Sequence, residues 1–81
     1  MKDVVLHIAN GLVTKPENMT VTADETEGEL RLKLAVDPDD MGKVIGRGGR
    51  TARDIRTILR AVGGYRGTPV NLEITENVKD S

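Results

Sequence analysis

Apolar residues recur along this chain with two different periods. Val4, Val5, Ile8, Ala9, Leu12 and Val13 follow the i, i+1, i+4, i+5 spacing of one stripe on an amphipathic helix. Asp3 is placed to cap its start, and Pro16 limits its extension. Met19, Val21 and Ala23 then alternate with Thr20, Thr22 and Asp24, the period of a half-buried strand. Glu25 to Gly28 reads as a turn. Leu30, Leu32, Leu34 and Val36 alternate with Arg31, Lys33 and Ala35, the clearest strand in the sequence. Asp37-Pro38 opens a short helix, with Asp as cap, Pro at the first helical position and Asp40 near the positive end of the dipole. Met41, Val44 and Ile45 give that helix its apolar face, and it stops at Gly46. A further helix runs from about Arg50 to Val62, with Ala52, Ile55, Ile58, Leu59 and Val62 on its core side. Val70, Leu72 and Ile74 alternate with Asn71, Glu73 and Thr75 as a third strand.

The predicted order is therefore α-β-β-α-α-β. That order suggests an α+β layer, three helices on one face of a three-stranded sheet. Residues 1–76 read as a single domain and residues 77–81 as a flexible tail. There is no internal repeat and no low-complexity segment. At 81 residues the core must be small, since even a domain of about 60 residues buries only about 60% of its unfolded surface.

Charge changes the picture. The formal net charge of −1 hides a sharp division. Residues 43–66 hold Lys43, Arg47, Arg50, Arg53, Arg56, Arg60 and Arg66 against the single acid Asp54, a balance of +6. The remaining five basic and twelve acidic residues balance at −7. Gly46, Gly48 and Gly49 fall inside the basic window, at the junction of two predicted helices. Glycines there permit positive φ and let another backbone approach closely. The following helix points its free N–H groups and its positive dipole end into the same turn. Close approach, free donors and positive charge together suit a phosphate. Arg47, in the turn, and Arg50, at the helix start, would meet it first. Arg53, Arg56 and Arg60 form a stripe farther along, away from the core, and sequence leaves open how far a phosphate chain follows it.

The stretch Val44 to Ile55, VIGRGGRTARDI, resembles the core of a KH domain: an apolar pair, a Gly-x-x-Gly loop, then a basic helix. The element order resembles the type II, prokaryotic arrangement of that fold. The length and the segment DPDDMGKVIGRGGRTARDIRTIL resemble small bacterial proteins made of one KH domain, and the likeness covers residues 1 to 76. It implies a protein that clamps about four nucleotides of single-stranded RNA, or less often DNA. Carried over by position, Gly46 and Gly49 fix the loop, and Arg47 and Gly48 face the sugar-phosphate backbone. Ile45 would join the apolar floor under the bases. Gly48 departs mildly from the pattern, because a larger polar or basic residue is common there. Ile45, Gly46, Arg47, Gly48, Gly49, Arg50 and Arg53 are thus the candidate RNA-binding residues. The resemblance further implies an RNA chaperone or post-transcriptional regulator, linked in some bacteria to cell shape and wall synthesis. It implies self-association, including a homodimer, and a larger KH-containing partner.

Composition excludes several other classes. Tyr65 is the only aromatic residue, so no platform of stacking rings can form. Weak affinity and modest base preference are expected. Cysteine is absent and the only serine is Ser81, which removes the usual nucleophiles, and His7 has no sequence-evident metal partner. No catalysis, cofactor, metal or small-molecule substrate is expected. The start is too short in apolar residues for a signal peptide and no segment suits a bilayer, so a cytoplasmic location is expected.

Other motifs fail on detail. A P-loop needs Lys-Ser or Lys-Thr after its glycines. A dinucleotide fingerprint needs a longer parallel sheet. Asp37, Asp39 and Gly42 imitate the start of a calcium loop whose twelfth position is here Gly48. The runner-up is a helix-hairpin-helix that grips duplex DNA, since Gly46-Arg47-Gly48 with Ala52 and Ile55 fits its spacing. Arg47 stands where that hairpin usually wants an apolar residue, and the flanking strands go unexplained. A protein-interaction module using the same loop is the other alternative.

Overall fold

The computed structural model describes residues 1–77, and the rest of the predicted tail, residues 78–81, lies outside them. The best-marked alternation becomes strand β2 (Glu29–Val36), the middle of a three-stranded sheet. Strand β1 (Thr20–Thr26) pairs with it antiparallel and strand β3 (Val70–Glu76) parallel. The register sets Leu34 between Val21 and Ile74, and Leu32 between Ala23 and Leu72. Because strand side chains alternate between faces, Leu32, Leu34 and Val36 are buried on one side. Arg31 and Lys33 stay exposed on the other. The β1–β2 turn is tighter than the sequence suggested. It holds only Glu27 and Gly28, both at positive φ (54° and 77°), as a type I′ hairpin turn requires.

All helices cover the same face, and the order α-β-β-α-α-β is the one the sequence predicts. Helix α1 (Lys2–Asn10) contributes Val5 and Ala9, helix α2 (Met41–Ile45) Val44, and helix α3 (Arg50–Arg66) Ile55 and Leu59 to one core cluster with the strands. Asp3 does not cap α1: the helix starts two residues earlier than expected, so Asp3 falls in its first turn and Met1 takes the cap position. Asp37 does cap the next element, its carboxylate accepting from the Asp39 N–H at 3.0 Å. A 3-10 turn, Pro38–Asp40, leads into α2.

Two features of α3 differ from the periodic reading. The helix continues past Val62 to Arg66 because Gly63 does not break it. A Cβ at Gly63 would stand 2.5 Å from a Val70 methyl and 2.6 Å from the Thr68 carbonyl, so glycine lets the last turn lie against the start of β3. Gly67, left-handed at φ 75°, ends the helix. Ile58, expected in the core, is 45% exposed. The buried positions Ala52, Ile55, Leu59 and Gly63 centre the core face about 105° from Ile58 but only about 55° from Arg56 at 3.6 residues per turn.

Asp40 is the one buried charged side chain among the described residues, with no exposed surface. It does not cap its own helix. It reaches back to the α1–β1 connection, accepting from the Thr14 N–H (3.0 Å), the Thr14 hydroxyl (2.7 Å) and the Lys15 N–H (2.9 Å). Around it Lys15 pairs with Asp39 at 2.6 Å, and the Asn18 amide donates to Asp37 at 2.8 Å. Asn77, the first residue of the predicted tail, is tied to the same corner through the Val36 and Asn18 carbonyls.

Burial disfavours the ionised form of Asp40, but the three donors and the nearby Lys43 charge outweigh it, and its carboxyl is held below the usual range. Asp37 is lowered as well, first by the Asp39 N–H and then by Asn18. A carboxyl that ionises more readily folded than unfolded stabilises the fold fully above its unfolded value. That contribution is lost as pH falls through the lower folded value. The urea midpoint is therefore expected to hold steady from neutral down to about pH 5 and to drop below about pH 4. An Asp40→Asn chain should show a shallower fall; equal slopes for the two chains would contradict the assignment.

Candidate nucleic-acid interface

Gly46 to Gly49 form the whole connection between α2 and α3. Gly46 closes α2, its N–H bonding to the Gly42 carbonyl at 2.9 Å. Its backbone (φ 77°, ψ 175°) lies in a region that only glycine adopts readily. A Cβ there would also collide with the Thr51 side chain and stand 2.9 Å from the Thr51 backbone nitrogen. Arg47 to Gly49 then make one 3-10 turn, closed by the Gly49 N–H on the Gly46 carbonyl at 3.2 Å. Gly48 and Gly49 have positive φ (64° and 79°), and nothing lies within 4 Å of a Cβ built at either. The loop is thus fixed at its first glycine and open at its last two.

The open side faces an uncapped helix end. Gly49 is the cap residue of the 17-residue α3, no side chain caps the start of the helix, the Arg50 N–H turns back onto the Arg47 carbonyl, and no acid stands in the first turn. Arg47, Arg50 and Arg53 are all exposed. The ion pairs among the described residues join Lys15 to Asp37 and Asp39 and Arg31 to Glu29, leaving these three arginines unengaged. Ile45 is half-buried and does not belong to the core cluster, so it offers an aliphatic surface next to Gly46. The seven residues singled out from sequence therefore lie on one continuous segment, around an open loop.

The arginine stripe divides. Arg53 and Arg60 are exposed, whereas Arg56 is half-buried and its Nε donates to the Leu72 carbonyl on β3 at 3.3 Å. The sequence placed Arg56 away from the core; its position on the core flank of α3 turns it onto the edge strand instead. Sequence reasoning also read Asp40 only as a helix-start acid. Its partners, Thr14 and Lys15, lie 26 and 25 residues away, beyond any local pattern.

Among the described residues no group of His, Cys, Asp and Glu comes together as a metal site, and no helix is long and apolar enough to cross a membrane. The helix-hairpin-helix alternative is set aside, because α2, the loop and α3 are the crossover between two parallel strands of an α+β sheet. The family model of the KhpA/KhpB KH domain matches residues 2–74. The chain belongs to that family. It is 43% identical over 76 residues to the RNA-binding protein KhpA of Listeria monocytogenes, covering 94% of this chain and 100% of that one. The KhpA of Aquifex aeolicus is 46% identical over 76 residues (94% and 96%), and that of Streptomyces coelicolor 39% over 79 residues (98% and 99%). Among solved structures, Era of Aquifex aeolicus bound to GDP.AlF4- shares the fold with a TM-score of 0.60 at 19% identity. That match spans 93% of this chain and 29% of the longer one. The KhpA/KhpB family match, spanning residues 2–74, includes the loop described above.

Proposed function

We propose that this chain is a non-catalytic single-stranded RNA-binding protein whose Gly46-Arg47-Gly48-Gly49 loop clamps about four nucleotides. The observation that carries the reading is the pair of open glycines at an uncapped helix start, flanked by three exposed, unpaired arginines. Gly48 and Gly49 leave room for a sugar-phosphate backbone, the α3 N–H groups supply donors, and Arg47, Arg50 and Arg53 supply charge. Ile45 offers the bases an apolar surface. The KhpA proteins it resembles carry RNA-binding in their names.

With one short loop and no aromatic stacking, each contact is modest and binding is weak. Linking two modules raises avidity by about 10²–10⁴ without new contacts. We therefore extend the reading to self-association as a homodimer and to a complex with a KhpB-type KH protein. Ile58, Ala61 and the 94% exposed Tyr65 lie within about 60° of one another on α3 and support the first of these. By family resemblance we assign it the role of an RNA chaperone or post-transcriptional regulator in the cytoplasm, linked to cell shape and wall biogenesis.

Titration of a fluorescent single-stranded RNA at several salt concentrations tests the clamp. If the three arginines neutralise three phosphates, log K is expected to fall against log salt with a slope of about −2. A flat response would remove the phosphate contacts from the mechanism. Preference for duplex DNA would contradict the single-stranded reading of the loop, and binding to a KhpB-type protein but to no nucleic acid would favour an interaction module.

A further inference from the structure

We infer that Asp40 is the positioning residue of the Gly46–Gly49 clamp, latching the start of α2 to Thr14 and Lys15 so that the loop keeps its open shape. The inference rests on the RNA reading above and concerns the same site.

Helix α2 has only five residues. So short a helix has no stability of its own in water and must be held by tertiary contacts. Its middle is held by Val44, which is fully buried. Its far end is Gly46, the first residue of the clamp. Its near end is Asp40, about 9 Å from Gly46 at 1.5 Å per residue. With Val44 as a fulcrum, the orientation of α2 is set by whatever fixes Asp40.

The geometry at Asp40 is that of a tether. An aspartate before a helix ordinarily bonds the free N–H groups of the first turn. This one leaves its own helix uncapped and turns both carboxylate oxygens to a different segment. Oδ1 accepts from the Thr14 N–H and hydroxyl, and Oδ2 from the Lys15 N–H. Burying a carboxylate is unfavourable unless its oxygens are satisfied. Both are, and the bonds join segments 25 and 26 residues apart. Lys15 adds a second tie to the same turn through Asp39 and Asp37.

The test compares Asp40→Asn, Asp40→Ala, Thr14→Val and Thr14→Ser by amide hydrogen exchange without RNA and by affinity for a fluorescent single-stranded RNA. The Gly46 and Gly49 amides, both bonded within the α2–loop unit, report its order. Asn keeps an acceptor for Thr14 but turns an amide group toward the Lys15 N–H. Val at position 14 removes only the hydroxyl, on an exposed residue, so Thr14→Val decides the matter if Asp40→Ala fails to fold. In folded Asp40→Ala, exchange at Gly46 and Gly49 is expected to quicken and RNA affinity to fall, each by about tenfold. Asp40→Asn and Thr14→Val should lie between that and wild type, while Thr14→Ser, which keeps the hydroxyl, should restore wild-type values. Unchanged exchange at Gly46 and Gly49 would overturn the latch, as would equal acceleration at Leu34 and Leu59 in the core. If the wild-type chain bound no RNA, the clamp reading would fall, and the exchange data would still decide whether Asp40 orders the loop.

Discussion

Exchanging Arg47 and Gly48 together for Asp is expected to lower affinity for single-stranded RNA by about 100-fold or more at about 0.1 M salt, with the fold intact. The double change swaps a positive charge for a negative one and adds a second negative charge at the open lip of the loop. Like charges forced together at an interface cost several kcal/mol, and about 2.7 kcal/mol is already 100-fold. The fold should survive for two local reasons. Arg47 is exposed and unpaired, so its replacement disturbs no contact in the core. Gly48 is left-handed (φ 64°, ψ 19°) with empty space where a Cβ would go, and Asp is among the residues that tolerate that conformation. Fluorescence titration paired with a urea melt checks both halves. Retained RNA binding in a folded double variant would disprove the clamp.

Gly46→Ala is expected to act in the opposite way, through stability. A Cβ here meets both the Thr51 Cβ (2.7 Å) and the Thr51 backbone nitrogen (2.9 Å), and the ψ of 175° at positive φ is strained for any L-residue. Relief requires α2 and the first turn of α3 to move apart. The expected cost is about 3 kcal/mol or more, a large share of the roughly 4–12 kcal/mol available to a domain of this size. The melting temperature should fall by about 15 °C. Gly48→Ala, with the same sign of φ but open space, should cost only about 1 kcal/mol. Calorimetry on the two single variants gives the contrast; equal losses would mean that the Thr51 contact is unimportant.

Much of this could be read along the chain. Alternation located all three strands, because a sheet covered on one side writes its period directly into the sequence, as Leu32, Leu34 and Val36 show. The open loop was legible because three glycines in four positions are rarely needed for a helix connection alone. What escaped reading depended on contacts between distant segments. Gly63 looks like a helix stop until Val70 is seen lying against it. Ile58 counts as core by hydrophobicity, yet the direction of α3 on the sheet gives the inner flank to Arg56. Asp40 reads as one acid in an acidic turn, and only the folded chain brings Thr14 to it.

The parallel pairing of β2 with β3 has one more consequence. The loop and both its flanking helices lie on the excursion that joins these two strands, so the excursion is anchored at its far end only when β3 has docked. An ordered loop therefore depends on residues 70–76, and a fragment truncated before Val70 should bind no ligand however intact its glycine loop.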